Sequence, residues 1–314
     1  MGRTELDPQM IAVMEKRRTL APAQDDLQNV PLATIRKYYN QERAWWNEIK
    51  PSMNHIKEFT VAGPVRDIRI RIYHPCSEGN RPTLVYLHGG GWVVGNLDTH
   101  DRVMRLLADF AGTSVVGIDY ALSPEHKFPV AINETLAVIH WLETDGADQG
   151  LDIERLALGG DSAGANMAVA VTQLCHQQKA GAIKFLLLYY GAYGLTDSAS
   201  WQKYGTAEYE FTREEKKFYL DSYLGEEKDR ADSRFNVLSG ELHCLPQAFI
   251  GAAECDPLRD DSIALHNAMR KIGRPADLKT YPGVLHSFIH YSRMLEKATE
   301  ALQDGANALK TALG

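Results

Sequence analysis

The chain has 314 residues, enough for one large α/β domain or two small ones with ample buried core. Its 44% hydrophobic and 24% charged residues are ordinary globular values, and a net charge of −7 with a pI near 5.9 argues against a nucleic-acid partner. The longest apolar run, Phe185 to Leu195, is too short to span a bilayer, and the four cysteines (Cys76, Cys175, Cys244, Cys255) form no metal or redox spacing, so no metal or cofactor is expected.

Taken in order, the amino terminus carries Arg3, Glu5, Asp7, Glu15, Lys16, Arg17 and Arg18 with no apolar h-region. That pattern does not read as a secretion signal, and a reduced cytoplasmic setting without structural disulfides is the expectation. Residues 1–50 are polar and helix-like, with paired aromatics at Tyr38–Tyr39 and Trp45–Trp46. From residue 58 short β-rich runs predict strands at Glu58–Ala62, Asp67–His74, Thr83–His88, Ser114–Tyr120, Arg155–Gly159, Phe185–Tyr190, Gln247–Ala252 and Asp277–Tyr281. The central runs are continuously apolar, as strands buried on both faces should be. Helix-like segments at Leu97–Phe110, Pro129–Glu143, Ala163–Lys179 and Asp261–Ile272 separate them. This alternation predicts an α/β fold with a mostly parallel sheet covered on both faces, its first two strands antiparallel. One stretch, Thr196 to about Asn236, breaks the pattern: it is polar, aromatic and helix-prone. The expected organisation is therefore amino-terminal cap helices at 1–50, a core at 51–195, a cap insertion at 196–236 and the rest of the core at 237–314.

The chemistry centres on Gly160-Asp161-Ser162-Ala163-Gly164, between a predicted strand and a predicted helix. A serine hydroxyl attacks only if a base takes its proton and its oxygen projects clear of the backbone. A sharp strand-to-helix turn gives that projection, and it crowds the positions two residues away, where glycine is needed. Gly-x-Ser-x-Gly also arises by composition alone, so its neighbours must decide. His88-Gly89-Gly90-Gly91-Trp92 directly follows an apolar strand. A triple glycine there offers converging N–H groups to an oxyanion, with the Ala163 N–H as a further donor. A phosphate loop would need the following Lys-[Ser/Thr], which is missing.

Asp256 follows the seventh of these runs, Ala248–Ala253, and His286 follows the last predicted strand, giving the order Ser, Asp, His. Asp260 and Asp261 rival Asp256 but sit a turn into the helix, as caps or solvent-facing residues. His266 falls mid-helix, and His290 is expected on the face of the following helix.

In combination these blocks resemble the hormone-sensitive-lipase-like (bacterial family IV) carboxylesterases: His88–Trp92 with Gly95, Asp119–Pro129, Gly160–Gly164, Asp256–Asp260 and the His286 loop. The runs Gly95–Arg102, Tyr190–Leu195 and His290–Met294 are similar to bacterial acetyl esterases within that branch. The resemblance implies an eight-stranded α/β-hydrolase fold under a helical cap, with Ser162, Asp256 and His286 as the triad. It also implies Gly90, Gly91 and Ala163 as oxyanion donors, with Gly89 shaping the loop. Trp92, Asp161, Tyr190 and Tyr193 are the expected substrate-binding residues. The sequence departs from the family at Ala121, where arginine is frequent, at Ser287, where glycine is frequent, and at Gly164-Ala165, where a Gly-Gly pair is frequent. The expected activity is hydrolysis of acetyl to butyryl esters by a monomer or homodimer, with no nucleic acid or membrane as partner. A silent or dual-role protein binding a regulatory partner is the alternative.

Overall fold

The computed structural model describes residues 6–20, 29–76, 79–179 and 182–314; parts of the expected amino-terminal cap (1–5 and 21–28) lie outside them. Eight strands form one sheet: β1 (His55–Val61), β2 (Ile68–His74), β3 (Arg81–Leu87), β4 (Ser114–Asp119), β5 (Leu151–Asp161), β6 (Ile183–Tyr189), β7 (Gln247–Cys255) and β8 (Ala276–Leu285). Their spatial order is β1-β2-β4-β3-β5-β6-β7-β8. As the sequence predicts, β1 and β2 are antiparallel; β2 is also antiparallel to β4, and every pairing from β4 to β8 is parallel.

Side-chain alternation divides the core into two layers. Val85, Leu87, Val116, Ile118, Leu156, Leu158, Leu186 and Leu188 face α4 (Val130–Asp145), α5 (Ala163–Gln178) and α8 (Arg259–Lys271). Leu84, Tyr86, Val115, Ala157, Phe185, Leu187 and Tyr189 face α3 (Asp101–Ala111) and α9 (Glu296–Leu313). The two differ from expectation at their edges. Strand β5 starts at Leu151 rather than Arg155 because its polar first half pairs with the start of β3 (Arg81↔Leu151). Helix α9 was not foreseen, although Ala298, Ala301, Leu302, Ala306 and Leu309 make a buried stripe at helical spacing.

The remaining helices gather at one edge of the sheet. Helices α1 (Pro8–Leu20) and α2 (Leu32–Trp46) precede β1; α6 (Ala199–Tyr204) and α7 (Arg213–Tyr223) lie between β6 and β7. The two groups are tied by an Arg17–Glu210 ion pair. Ile35 of α2 and Phe218 and Tyr219 of α7 pack together on Val93 and Val94, just past the triple glycine. Among the described residues, no helix is long and apolar enough to cross a membrane.

Candidate active site

Strand register brings the candidate residues together. Leu87 pairs with Gly160, so the glycine loop after β3 emerges beside Asp161, the last residue of β5, and Ser162, which follows it. Cys255 pairs with Leu285, so Asp256 and His286 are the next residues on adjacent strands. All of them therefore meet at the carboxyl ends of parallel strands, where this class of sheet places its ligands.

Ser162 begins α5 with φ +53 and ψ −117, a strained conformation for a residue with a side chain. Its N–H is held by the Tyr189 carbonyl at 2.9 Å. The turn is so tight that a Cβ on Gly164 would lie 1.9 Å from the Leu87 carbonyl oxygen. The Ser162 hydroxyl donates to His286 Nε2 at 2.9 Å, and His286 Nδ1 donates to Asp256 Oδ2 at 2.7 Å. Asp256 is fully buried, and its Oδ1 accepts the Leu258 N–H at 2.8 Å, which fixes the carboxylate plane. The His286 ring is itself confined, with Phe211 stacked on it and Tyr190 meeting it edge-on, both at 4.9 Å.

Opposite lies the glycine loop. Gly91 has φ +59, and the ring of Tyr219 fills the space where a Cβ would go. Among the described residues, the N–H groups of Gly90, Gly91 and Ala163 have no hydrogen-bond acceptor, so they are free to receive a negative oxygen.

Known proteins bear on this arrangement directly. The family description "alpha/beta hydrolase fold" matches residues 84–290. The chain is 41% identical over 309 residues to an acetyl esterase of Salmonella paratyphi B, spanning 96% of this chain and 94% of that one. It is 43% identical over 288 residues to an acetyl esterase of Salmonella agona, spanning 91% and 87%. Its fold matches a hyperthermophilic esterase from the archaeon Pyrobaculum calidifontis with a TM-score of 0.92 at 30% identity, over 98% of each chain. The chain belongs to the hormone-sensitive-lipase-like branch of the α/β-hydrolase family. It is a carboxylic ester hydrolase.

Within the esterase the other expected residues take varied places. Gly89 is not an available oxyanion donor: its N–H is committed to Asp161 Oδ1 at 3.0 Å and to His100 Nε2 at 3.2 Å. Asp161 does not line an open substrate surface either. It is buried, and its carboxylate also accepts the Tyr86 hydroxyl at 2.9 Å, so it braces the glycine loop from behind. Burial by itself would raise this carboxyl, but the facing His100 and His290 hold it well below the usual carboxylate range. His290 was expected on a helix face. Instead it is buried in a short 3-10 turn, Phe288–Tyr291, with Nε2 at 3.5 Å from Asp161, and burial keeps it neutral by pulling its pKa well down. His88 stacks on Tyr120 at 4.1 Å and is likewise pushed down by burial, to about 3.

Trp92 is buried with its ring stacked on Tyr223 at 4.2 Å, so it joins the loop to α7. Tyr190 touches His286, as noted, but is itself wholly buried. Tyr193 is wholly buried too, its ring against Gly191, and does not reach an open surface. Asp261 was expected to cap or face solvent; it is buried, and its Oδ1 takes three backbone N–H groups, from Tyr193, Gly194 and Leu195, at 2.7 to 3.1 Å. Asp260 accepts the Ser200 N–H at 2.8 Å, and His266 stands midway along α8 with its Nδ1 3.2 Å from Asn267 Oδ1. At Ala121, where the family often has arginine, buried Glu134 takes the Ala121 N–H at 2.7 Å and the Arg66 guanidinium at 2.9 Å.

Residue-level reasoning missed Phe211, Tyr219, His100 and His290. The first two stood in the aromatic insertion with no spacing to single them out; the histidines lay in the runs similar to acetyl esterases. His100, Asp161 and His290 bring three ligand atoms within 4.8 Å of one another, a possible metal grouping. The loop hydrogen bonds and the Thr99–His100 Nδ1 contact at 2.9 Å already engage His100 and Asp161.

Proposed function

We propose that this esterase hydrolyses short-chain acyl esters, acetyl to butyryl, by two-step acyl transfer through Ser162, His286 and Asp256. The observation that carries the reading is the imidazole of His286 bridging Ser162 Oγ and Asp256 Oδ2 at 2.9 and 2.7 Å. His286 Nε2 takes the hydroxyl proton as Ser162 attacks the ester carbonyl. Asp256 keeps the other proton on Nδ1 and stabilises the imidazolium. The negative oxygen of the tetrahedral intermediate is received by the Gly90, Gly91 and Ala163 N–H groups. His286 then protonates the departing alcohol. Water, deprotonated by the same imidazole, attacks the acyl-enzyme and releases the acid and the free serine. Purified Ser162→Ala should lose ester hydrolysis by at least about a thousandfold. A variant that kept wild-type turnover would overturn the triad.

The acyl-chain limit is supported by the aromatic crowding over the site, Phe211 on His286 and Tyr219 on Gly91, and by likeness to acetyl esterases. The amino-terminal helices and the 196–236 insertion act as the cap in this reading. A p-nitrophenyl ester series tests it: kcat/KM should peak between acetate and butyrate, and preference for emulsified long-chain esters would refute it. The cysteines are unpaired (Cys76 exposed, Cys175 and Cys255 buried), which suits a reducing cytoplasm. Monomer or homodimer is the proposed state, and light scattering on the purified chain decides it.

A further inference from the structure

We propose that His176, Glu241 and His243 form a surface site for a borderline divalent transition metal, zinc foremost. One ligand atom from each, two imidazole nitrogens and a carboxylate oxygen, lies within 4.8 Å of the others. All three side chains are exposed, and the two imidazoles stand nearly perpendicular, with centroids 5.9 Å apart. Two histidines and a carboxylate suit zinc, nickel or copper; magnesium and calcium prefer all-oxygen sites.

The frame beneath these side chains is fixed. His176 stands in the last turn of α5. Glu241 and His243 belong to a short 3-10 turn, Leu242–Cys244, with Glu241 just before it. Gln173, one turn back on α5, donates to the Val237 carbonyl at 3.1 Å, and Gly240 packs on the same side chain. Leu242 and Cys244 anchor the turn in the core. Tetrahedral zinc with ligands at about 2.0–2.1 Å needs donor atoms about 3.3 Å apart, so only rotation of exposed side chains is required. Water would complete the coordination. The buried grouping of His100, Asp161 and His290 offers the same donor types, but metal entry there would break the hydrogen bonds that hold the glycine loop.

A metal at this site joins the end of α5 to the segment that leads into β7. It lies at the far end of the helix that begins with Ser162, so it would stabilise the fold without entering the reaction. The test compares the wild-type chain with a His176→Gln/His243→Gln variant, each stripped of metal and titrated with zinc chloride or magnesium chloride. Calorimetry should show one zinc per wild-type chain and no magnesium binding. Zinc at a hundredfold excess over Kd should raise the unfolding midpoint by roughly 5 °C. The double variant should bind zinc at least tenfold more weakly and lose that shift, while its metal-free midpoint and its kcat/KM match the wild type. Absence of zinc binding by the wild-type chain, or equal zinc binding by the variant, would overturn the assignment. Loss of esterase activity on adding one equivalent of zinc would also overturn it, by placing the metal at the buried grouping.

Discussion

The Asp161 carboxylate and the Gly89 amide are joined at 3.0 Å, so the residue before the serine holds the first glycine of the facing loop. Ser162 and the glycine loop, the proposed nucleophile and the proposed source of oxyanion donors, are thereby set on one polar joint, shared with the Tyr86 hydroxyl and bordered by His100 and His290. Asp161→Asn keeps the shape but replaces a carboxylate oxygen with an amide that can accept less strongly. Because the change acts on where the loop amides point, it should lower kcat by about tenfold to a hundredfold, within the cost of losing one oxyanion donor. KM should change little. Steady-state kinetics on p-nitrophenyl acetate checks this, and a raised KM at constant kcat would mean Asp161 contacts substrate.

The Phe211 ring lies 4.9 Å from the His286 ring and is nearly parallel to it. Removing it opens space beside the imidazole, and each methylene accommodated in an apolar pocket contributes about 1–3 kcal/mol to discrimination. Phe211→Ala should therefore raise the hexanoate-to-acetate ratio of kcat/KM by roughly tenfold. The ratio, rather than absolute activity, is the quantity to measure, since the loss of aromatic packing will also lower overall turnover.

How much of this was legible depends on what kind of signal each residue leaves. The strands and the elbow were readable because apolar runs and a glycine pair answer to local sterics: Gly164 is required by the Leu87 carbonyl against it. Asp256 and His286 were readable from their place after strands, which the Cys255↔Leu285 register turns into contact. The roles of Gly89 and Asp161 were not, because which face of a buried carboxylate meets which amide is a tertiary fact. Nor was the depth of Asp261 or His290. A short polar helix start and a histidine near a strand end look alike whether they face water or the core. Phe211 and Tyr219 were lost among the eight aromatics of the 196–236 insertion, since the packing of such a segment obeys no fixed period.

Ser287 follows His286 with φ +65, in the left-handed region that a side chain resists. Ser287→Gly should relieve about 0.5–1 kcal/mol, the left-handed strain less the greater chain entropy that glycine gives the unfolded state. Thermal unfolding should show a midpoint higher by roughly 1–3 °C. Among the described residues the Ser287 side chain makes no hydrogen bond to Ser162, Asp256 or His286, whose contacts run directly between them, so kcat/KM should stay within about twofold of wild type, an amount worth under 0.5 kcal/mol. A lower midpoint would mean the serine hydroxyl holds the loop in a way its backbone angles do not reveal.

Asp261 sets a pH dependence of stability rather than of rate. Burial pushes its carboxyl up to about 6, against the three loop amides on Oδ1 and the more distant Lys216 that oppose it. Its Oδ2 is buried and has no partner among the described residues, so that atom is where the proton sits. With the folded pKa above the unfolded value of 3.8, the native state binds more protons across the interval between them. Stability from this group is thus full below about 4, falls as pH rises toward about 6, and stays reduced above it. The two-unit gap corresponds to an upper limit of about 3 kcal/mol. Asp261→Asn removes the titration and keeps an acceptor for the loop amides, so it should flatten the fall between pH 4 and 7 and raise the midpoint above pH 7. Asp261→Ala leaves three backbone amides unsatisfied and should lower the midpoint at every pH, by an amount in the range of about 1–3 kcal/mol. Denaturant midpoints of the three proteins at pH 5 and pH 8 separate these outcomes, and an Asn variant less stable than wild type at pH 8 would show that the buried carboxylate is the favoured form.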